Sequence, residues 1–253
     1  MSIEAVSDFD MQTTPLYLDD SDQLRFDATV IDRDPEAIVL DRTAFYPTGG
    51  GQPNDTGTIT VEGEQWAVQD VSGREQIRHH LDREPPAIDA SVRGSVDESR
   101  RRAHMRYHTA QHLLSAVLLD KYDAETTGNQ LYADRARIDC AYERFHGADL
   151  EDIEDDVQSL IDDDLPVRWY ELSRERAEAE LDPSRTRLDL LPDAVDPVRI
   201  VEIEGVDRTA CAGTHVSGTG DIGQFRITGR ETAGRGHERI RFELQNATDL
   251  GGV

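Results

Sequence analysis

The chain has 253 residues, two cysteines and a single lysine, Lys121, and it sets 52 acidic residues against 27 basic ones for a formal charge of −25. No run approaches the roughly 20 apolar residues that span a bilayer, and "MSIEAVSDFDMQ" lacks the basic and then apolar run of a signal peptide. The expectation is a soluble cytoplasmic protein with no membrane partner, in which Cys140 and Cys211 stay separate thiols. The acidic surface repels nucleic acid at low salt, whereas in molar salt the Debye length falls to about 3 Å and an RNA ligand is not excluded. Adaptation to high salt is the expected reason for the composition.

In chain order, residues 24 to 95 alternate like strands and are broken by turns: "LRFDATVIDRD", "EAIVLDRTAFYP", "TGTITVEGEQWAVQDV" and "IRHHLD". They predict a small antiparallel barrel or sandwich. "PTGGGQPNDTG" is too rich in glycine for a strand and marks a constrained loop. "DREPPAIDASVRGSVD" reads as a last strand pair before a boundary that divides the chain into 1–96 and 97–253. "ESRRRAHMRYHTAQHLLSAVLLDKY" is helical, with Met105, Leu113, Leu114, Val117 and Leu118 at helix spacings. A strand, "RARIDCAYE", follows, then a helix with Leu150, Ile153, Val157 and Leu160 on one face. "PVRWYEL" reads as a strand and "SRERAEAEL" as a short helix capped by Ser173. Three more strands, "DPVRIVEIEG", "IGQFRITGR" and "ERIRFELQN", complete the set. The class is α+β: a small β-barrel, then helices on an antiparallel sheet.

In "HTAQH", His108 and His112 stand four apart on the long helix, which puts both rings on one face a turn apart. Alone, such a pair is more often an accident of a partly exposed helix, and a lone cysteine such as Cys211 is usually an apolar filler. Cys211 and His215 repeat the spacing of four, so three of eight histidines and one of two cysteines fall in matched pairs. That nitrogen and sulfur set prefers zinc to magnesium or calcium. It leaves open a closed structural site or an open catalytic one, with His215 either a ligand or an acid or base beside the metal.

"HTAQHLLSAVL" followed later by "CAGTHV" resembles the zinc-binding editing domain of alanyl-tRNA synthetase and its free-standing relatives, the AlaX proteins. "FYPTGGGQPNDTG" is similar to the glycine-rich segment of that family's barrel, and "VRGSVDESRRRAHMRYHTAQH" to its passage from barrel to editing domain. "TTGNQLYADRARID" and "TGRETAGRGHERIRFEL" extend the likeness over most of residues 40 to 245. The match is to the medium-length type, a barrel plus an editing domain of the kind that threonyl- and alanyl-tRNA synthetases carry as a second additional domain. Ala212 stands where many relatives have glycine, and Thr126 where synthetase-borne domains often have glutamine.

The resemblance implies a zinc-dependent aminoacyl-tRNA hydrolase that removes serine chiefly, and glycine also, from the tRNA for alanine. Its metal residues would be His108, His112, Cys211 and His215, also carrying the chemistry. No ATP or other nucleotide cofactor is expected, since the length leaves no room for an aminoacylation domain. An alanine pocket excludes an added hydroxyl only about 10²-fold, so a second site must remove the error. Thr109, Gln111, Thr126 and Thr214 become candidates for facing the amino acid. Gly49, Gly50, Gly51, Gln52 and Asp55 become candidates for facing the acceptor end or bracing the pocket, against the simpler reading of a tight barrel turn. Arginines gather at 100–106 and 226–241, and of these Arg235 and Arg239 are the candidate phosphate contacts; the plainer role is pairing with surplus carboxylates. Two rivals remain: a tRNA-binding module with a purely structural zinc, and a hydrolase for another mischarged tRNA such as that for threonine.

Overall fold

The computed structural model describes residues 12–245; the opening residues read above for a signal lie outside them. Two compact units divide the chain, residues 1–49 with 53–102, and residues 50–52 with 103–253. No helix among the described residues is long and apolar enough to cross a membrane.

In the first unit the strands are β1 (Thr14–Pro15), β2 (Arg25–Arg33), β3 (Ala37–Leu40), β4 (Arg42–Thr43), β5 (Gly57–Val61), β6 (Glu64–Ser72), β7 (Arg78–Leu81) and β8 (Ser91–Val96). Six of them close a barrel in the order β2-β3-β7-β6-β5-β8, and β1 pairs in parallel with β4. Closure follows from the period of two: Phe26, Ala28 and Val30 on β2 and Val92, Gly94 and Val96 on β8 turn inward, while the residues between them face outward or sit half-buried. Their neighbours in the core include Ile38, Leu40, Phe45, Ile59, Val68 and Val71. The strand pair expected over 82–97 is a single strand, β8. Pro85 and Pro86 lack the N–H that a ladder needs, so the segment before β8 stays a loop. His79 on β7 is fully buried, with Nε2 2.8 Å from the Thr43 hydroxyl and its ring edge-on to Phe45.

The second unit contains most of α1 (Glu98–Tyr122), then β9 (Thr126–Leu131), β10 (Ala136–Cys140), α2 (Gly147–Asp162), β11 (Val167–Leu172), α3 (Arg174–Glu180), β12 (Val198–Ile203), β13 (Asp207–Ala210), β14 (Gln224–Gly234) and β15 (His237–Gln245). One sheet runs β14-β15-β10-β9 and a second β11-β12-β13, every pairing in them antiparallel. Leu113, Leu114, Val117 and Leu118 of α1 and Ile153, Val157 and Ile161 of α2 share one core with Ile138, Ile240 and Phe242 of the larger sheet. Ser173 caps α3, accepting from the Arg176 N–H at 3.4 Å. β9, "TTGNQL", has no apolar alternation and becomes a strand by pairing with β10.

Candidate metal centre

Helix α1 is buried on two sides. Besides its apolar stripe it carries His104, His108, Gln111, His112 and Ser115 at spacings of three and four, all enclosed. His108 and His112 therefore project from the same flank. Strand β13 delivers the other pair: Asp207 and Thr209 point inward by strand alternation, and the turn that follows brings in Cys211 and His215.

Each of the four offers a ligand atom within 4.8 Å of every other. Cys211 Sγ stands 3.5 Å from His108 Nε2 and 3.3 Å from His215 Nε2. Zinc bonds of about 2.0–2.3 Å arranged tetrahedrally give donor–donor edges of about 3.5 Å, which these two separations match.

Every imidazole is held through Nδ1. His108 donates to Gln52 Oε1 at 2.8 Å, an oxygen that also accepts the Thr214 N–H at 3.2 Å, while Gln52 Nε2 donates to Thr214 Oγ1 at 2.9 Å. His112 donates to Asp207 Oδ2 at 2.8 Å. His215 lies 3.1 Å from Thr109 Oγ1, whose own proton goes to the Met105 carbonyl, so the hydroxyl accepts from the ring. With all three Nδ1–H groups committed, the Nε2 atoms are left to the centre. Arg185 grips Asp207 from behind, Nε to Oδ1 at 2.7 Å and Nη2 to Oδ2 at 2.9 Å.

The charges are strongly coupled. Burial alone would raise the Cys211 thiol, but the adjacent His108 and His215 imidazoles and hydrogen bonds from His108 and His112 hold it well below its ordinary value. Burial and the neighbouring His108 push His215 down to about 3, leaving a neutral ring. For His112 burial works the same way, yet the Asp207 hydrogen bond and the Cys211 sulfur raise it to about 9. Burial raises Asp207, and His112 and Arg185 more than reverse this.

Gly213 has no room for a side chain: a Cβ there would lie 2.0 Å from His108 Cε1. Arg199 on β12 fastens the same turn, donating to the carbonyls of Cys211 at 2.7 Å and Gly213 at 3.3 Å.

The residues expected to face the substrate make these contacts within the fold. Gln52, Thr109 and Thr214 steady the imidazoles. Gln111 accepts from Asn129 Nδ2 at 2.9 Å, and Thr126 bonds the Ser115 hydroxyl. Gly51, at φ +83°, presses on Asn129, and its carbonyl accepts the Leu131 N–H at 2.8 Å. Gly50 stands in open space, and the Gly49 carbonyl accepts from the Tyr46 hydroxyl. Asp55 is wholly buried in an ion pair with Arg101, at 2.6 Å, inside the first unit. Asp139 takes the Arg239 guanidinium at 2.6 and 2.9 Å and Glu231 takes it at 3.2 Å. Arg235 is exposed. Asp207, Arg185, Gly213 and Arg199 were not anticipated; Asp207 stands four residues before Cys211, a repeat of the spacing that would have flagged it.

A β-barrel followed by helices on antiparallel sheets, with two His/Cys pairs converging, defines the class of the synthetase editing domains. The family model "tRNA synthetases class II (A)" matches residues 7–100, and "Threonyl and Alanyl tRNA synthetase second additional domain" matches residues 198–241, which include Cys211 and His215. The alanyl-tRNA editing protein AlaX-M of Methanosarcina barkeri is 37% identical over 92% of this chain and 99% of its own length, and that of Methanosarcina acetivorans 35% over 92% and 99%. The alanine–tRNA ligase of Haloquadratum walsbyi is 37% identical over 93% of this chain but only 26% of the ligase. The chain belongs to the AlaX-M family of alanyl-tRNA editing proteins.

Proposed function

We propose that this chain is a cytoplasmic hydrolase that frees the tRNA for alanine from a wrong amino acid, serine chiefly and glycine also, with zinc held by His108, His112, Cys211 and His215. The observation that supports this most is the convergence of three Nδ1-anchored imidazoles on one low-pKa thiol in a member of an editing family. Bound zinc would supply Lewis-acid polarisation of the ester and a seat for the serine hydroxyl that an alanine methyl cannot occupy. Gln52, Asp207 and Thr109 fix the tautomers that make the three rings ligands. His112, raised to about 9 by Asp207 and Cys211, would have to give up its Nε2 proton to serve as a ligand. In this reading Gln111 and Thr126 face the amino acid, the exposed Gly50 offers its backbone to the RNA, and Arg235 meets a phosphate. Water adds to the ester carbonyl, the acyl–oxygen bond breaks, and the ribose hydroxyl takes the proton, leaving free amino acid and uncharged tRNA.

Four protein donors around one centre also favour a second reading, a closed structural zinc in a tRNA-binding module. Deacylation of seryl- and alanyl-tRNA, both on alanine tRNA, in high KCl with and without metal stripping separates the two. Rapid loss of serine, spared alanine and restoration by zinc establish the hydrolase; metal-loaded protein that retains both esters establishes the module. Cys211→Ala with His215→Ala should lose metal and activity together. The surplus of carboxylates is read as adaptation to molar salt, in which the RNA is not repelled.

A further inference from the structure

Trp169 on β11 keeps 40% of its surface in solvent, one of three large apolar side chains so exposed among the described residues. Of the three, Trp169 is joined to the loop that carries Cys211. The Arg199 guanidinium lies over its ring, 5.2 Å from the centroid, and the same guanidinium donates to the Cys211 carbonyl at 2.7 Å and the Gly213 carbonyl at 3.3 Å. In the β11–β12 ladder Trp169 stands opposite Val201 and Arg199 opposite Glu171, so the two side chains are diagonal neighbours on one face. That face also presents Ile203, a member of the core shared with α1. The Cys211 N–H in turn donates to the Arg199 carbonyl at 3.2 Å. An indole is therefore fixed, through one arginine, beside the loop that carries the thiol.

We propose that Trp169 is the stacking platform for the terminal nucleobase of the tRNA whose ester lies at the donor cluster. The inference rests on the hydrolase reading and adds to it how the 3′ end is held. An ester on the last ribose keeps its own base within one nucleoside of the reacting carbon, and Trp169 is an exposed aromatic tied through Arg199 to the loop that carries Cys211. Aromatic faces bind bases with little regard for identity, and the arginine backing adds a cation to the stack. Because the terminal base is shared by all tRNAs, this platform contributes affinity and placement, and amino-acid choice stays with the cluster.

The test uses the full zinc-loaded chain. Trp66 is buried at 8% exposure, so ligand-dependent fluorescence reports chiefly on Trp169. Alanine tRNA ending in its complete 3′ terminus should quench the emission, the same tRNA trimmed of its last nucleotide should bind with most of the quenching lost, and Trp169→Phe should show none. In seryl-tRNA deacylation Trp169→Ala should raise KM roughly tenfold to a hundredfold with kcat nearly unchanged and zinc content intact, and Trp169→Phe should restore most of the loss. Equal quenching by intact and trimmed tRNA, or an unchanged KM in Trp169→Ala, overturns the platform while leaving the hydrolase standing. Quenching that needs the terminal nucleotide, in a protein that never hydrolyses the ester, retains the platform and overturns the hydrolase. Quenching on raising protein concentration alone would assign the indole to contact between copies and overturn the platform.

Discussion

An imidazole becomes a useful ligand only when it cannot swing, and at this centre the restraint includes a residue with no side chain. A methyl at position 213 would occupy the volume of His108 Cε1 and Nδ1, whereas the neighbouring Ala212 is exposed and harmless. Gly213→Ala should thus displace His108 from Gln52 and weaken zinc binding about tenfold to a hundredfold, as loss of an orienting contact does. Competition with a chelator measures this, and zinc affinity equal to wild type would show that the turn yields instead. The four donors were legible because two pairs at one spacing are improbable together. Their supports were not: Gln52 comes from a glycine loop far off in sequence, and Arg185 sits in "DPSRTRLDLL", where nothing marks it as the clamp of a carboxylate.

At the scale of elements, α1 shows where pattern reading stops. Its apolar stripe was plain, but the enclosure of His104, His108, Gln111, His112 and Ser115 on the rest of the helix was not marked by any pattern. A polar stripe is buried only when each group finds an acceptor or donor, and those come from distant segments. Strand β7 poses the same problem in the barrel, since His79 occupies an apolar position in "IRHHLD". Burial, the first cause, drives its pKa from 6.5 to about 4, against the Ile38 carbonyl and with the charge of His80. Between those values the unfolded chain binds the proton that the folded one refuses, so stability is full above pH 6.5 and falls as pH drops towards 4, by on the order of 3 kcal/mol. Urea midpoints at pH 7 and pH 4.5 should differ more for wild type than for His79→Gln; equal differences would remove His79 as the source.

For the whole molecule, alternation and turn signals made the barrel legible, and helix spacing followed by strands made the α+β unit legible. The sheet split, with β9 on one and β11 to β13 on another, depended on long-range pairing that no local pattern carries. With a charge of −25, self-repulsion should be the main salt-sensitive load on the fold. The thermal midpoint should therefore climb steadily from 0.1 M to 3 M KCl, and a flat curve would count against the proposed salt adaptation. Residues 50–52 belong with residues 103–253, and Gln52 holds His108 from within that group. A gene cut at the barrel's last strand would consequently yield an incomplete donor cluster. Any lineage that sheds the barrel, or any fusion that swaps it, must replace one glutamine before it can keep His108 in register with the other three donors.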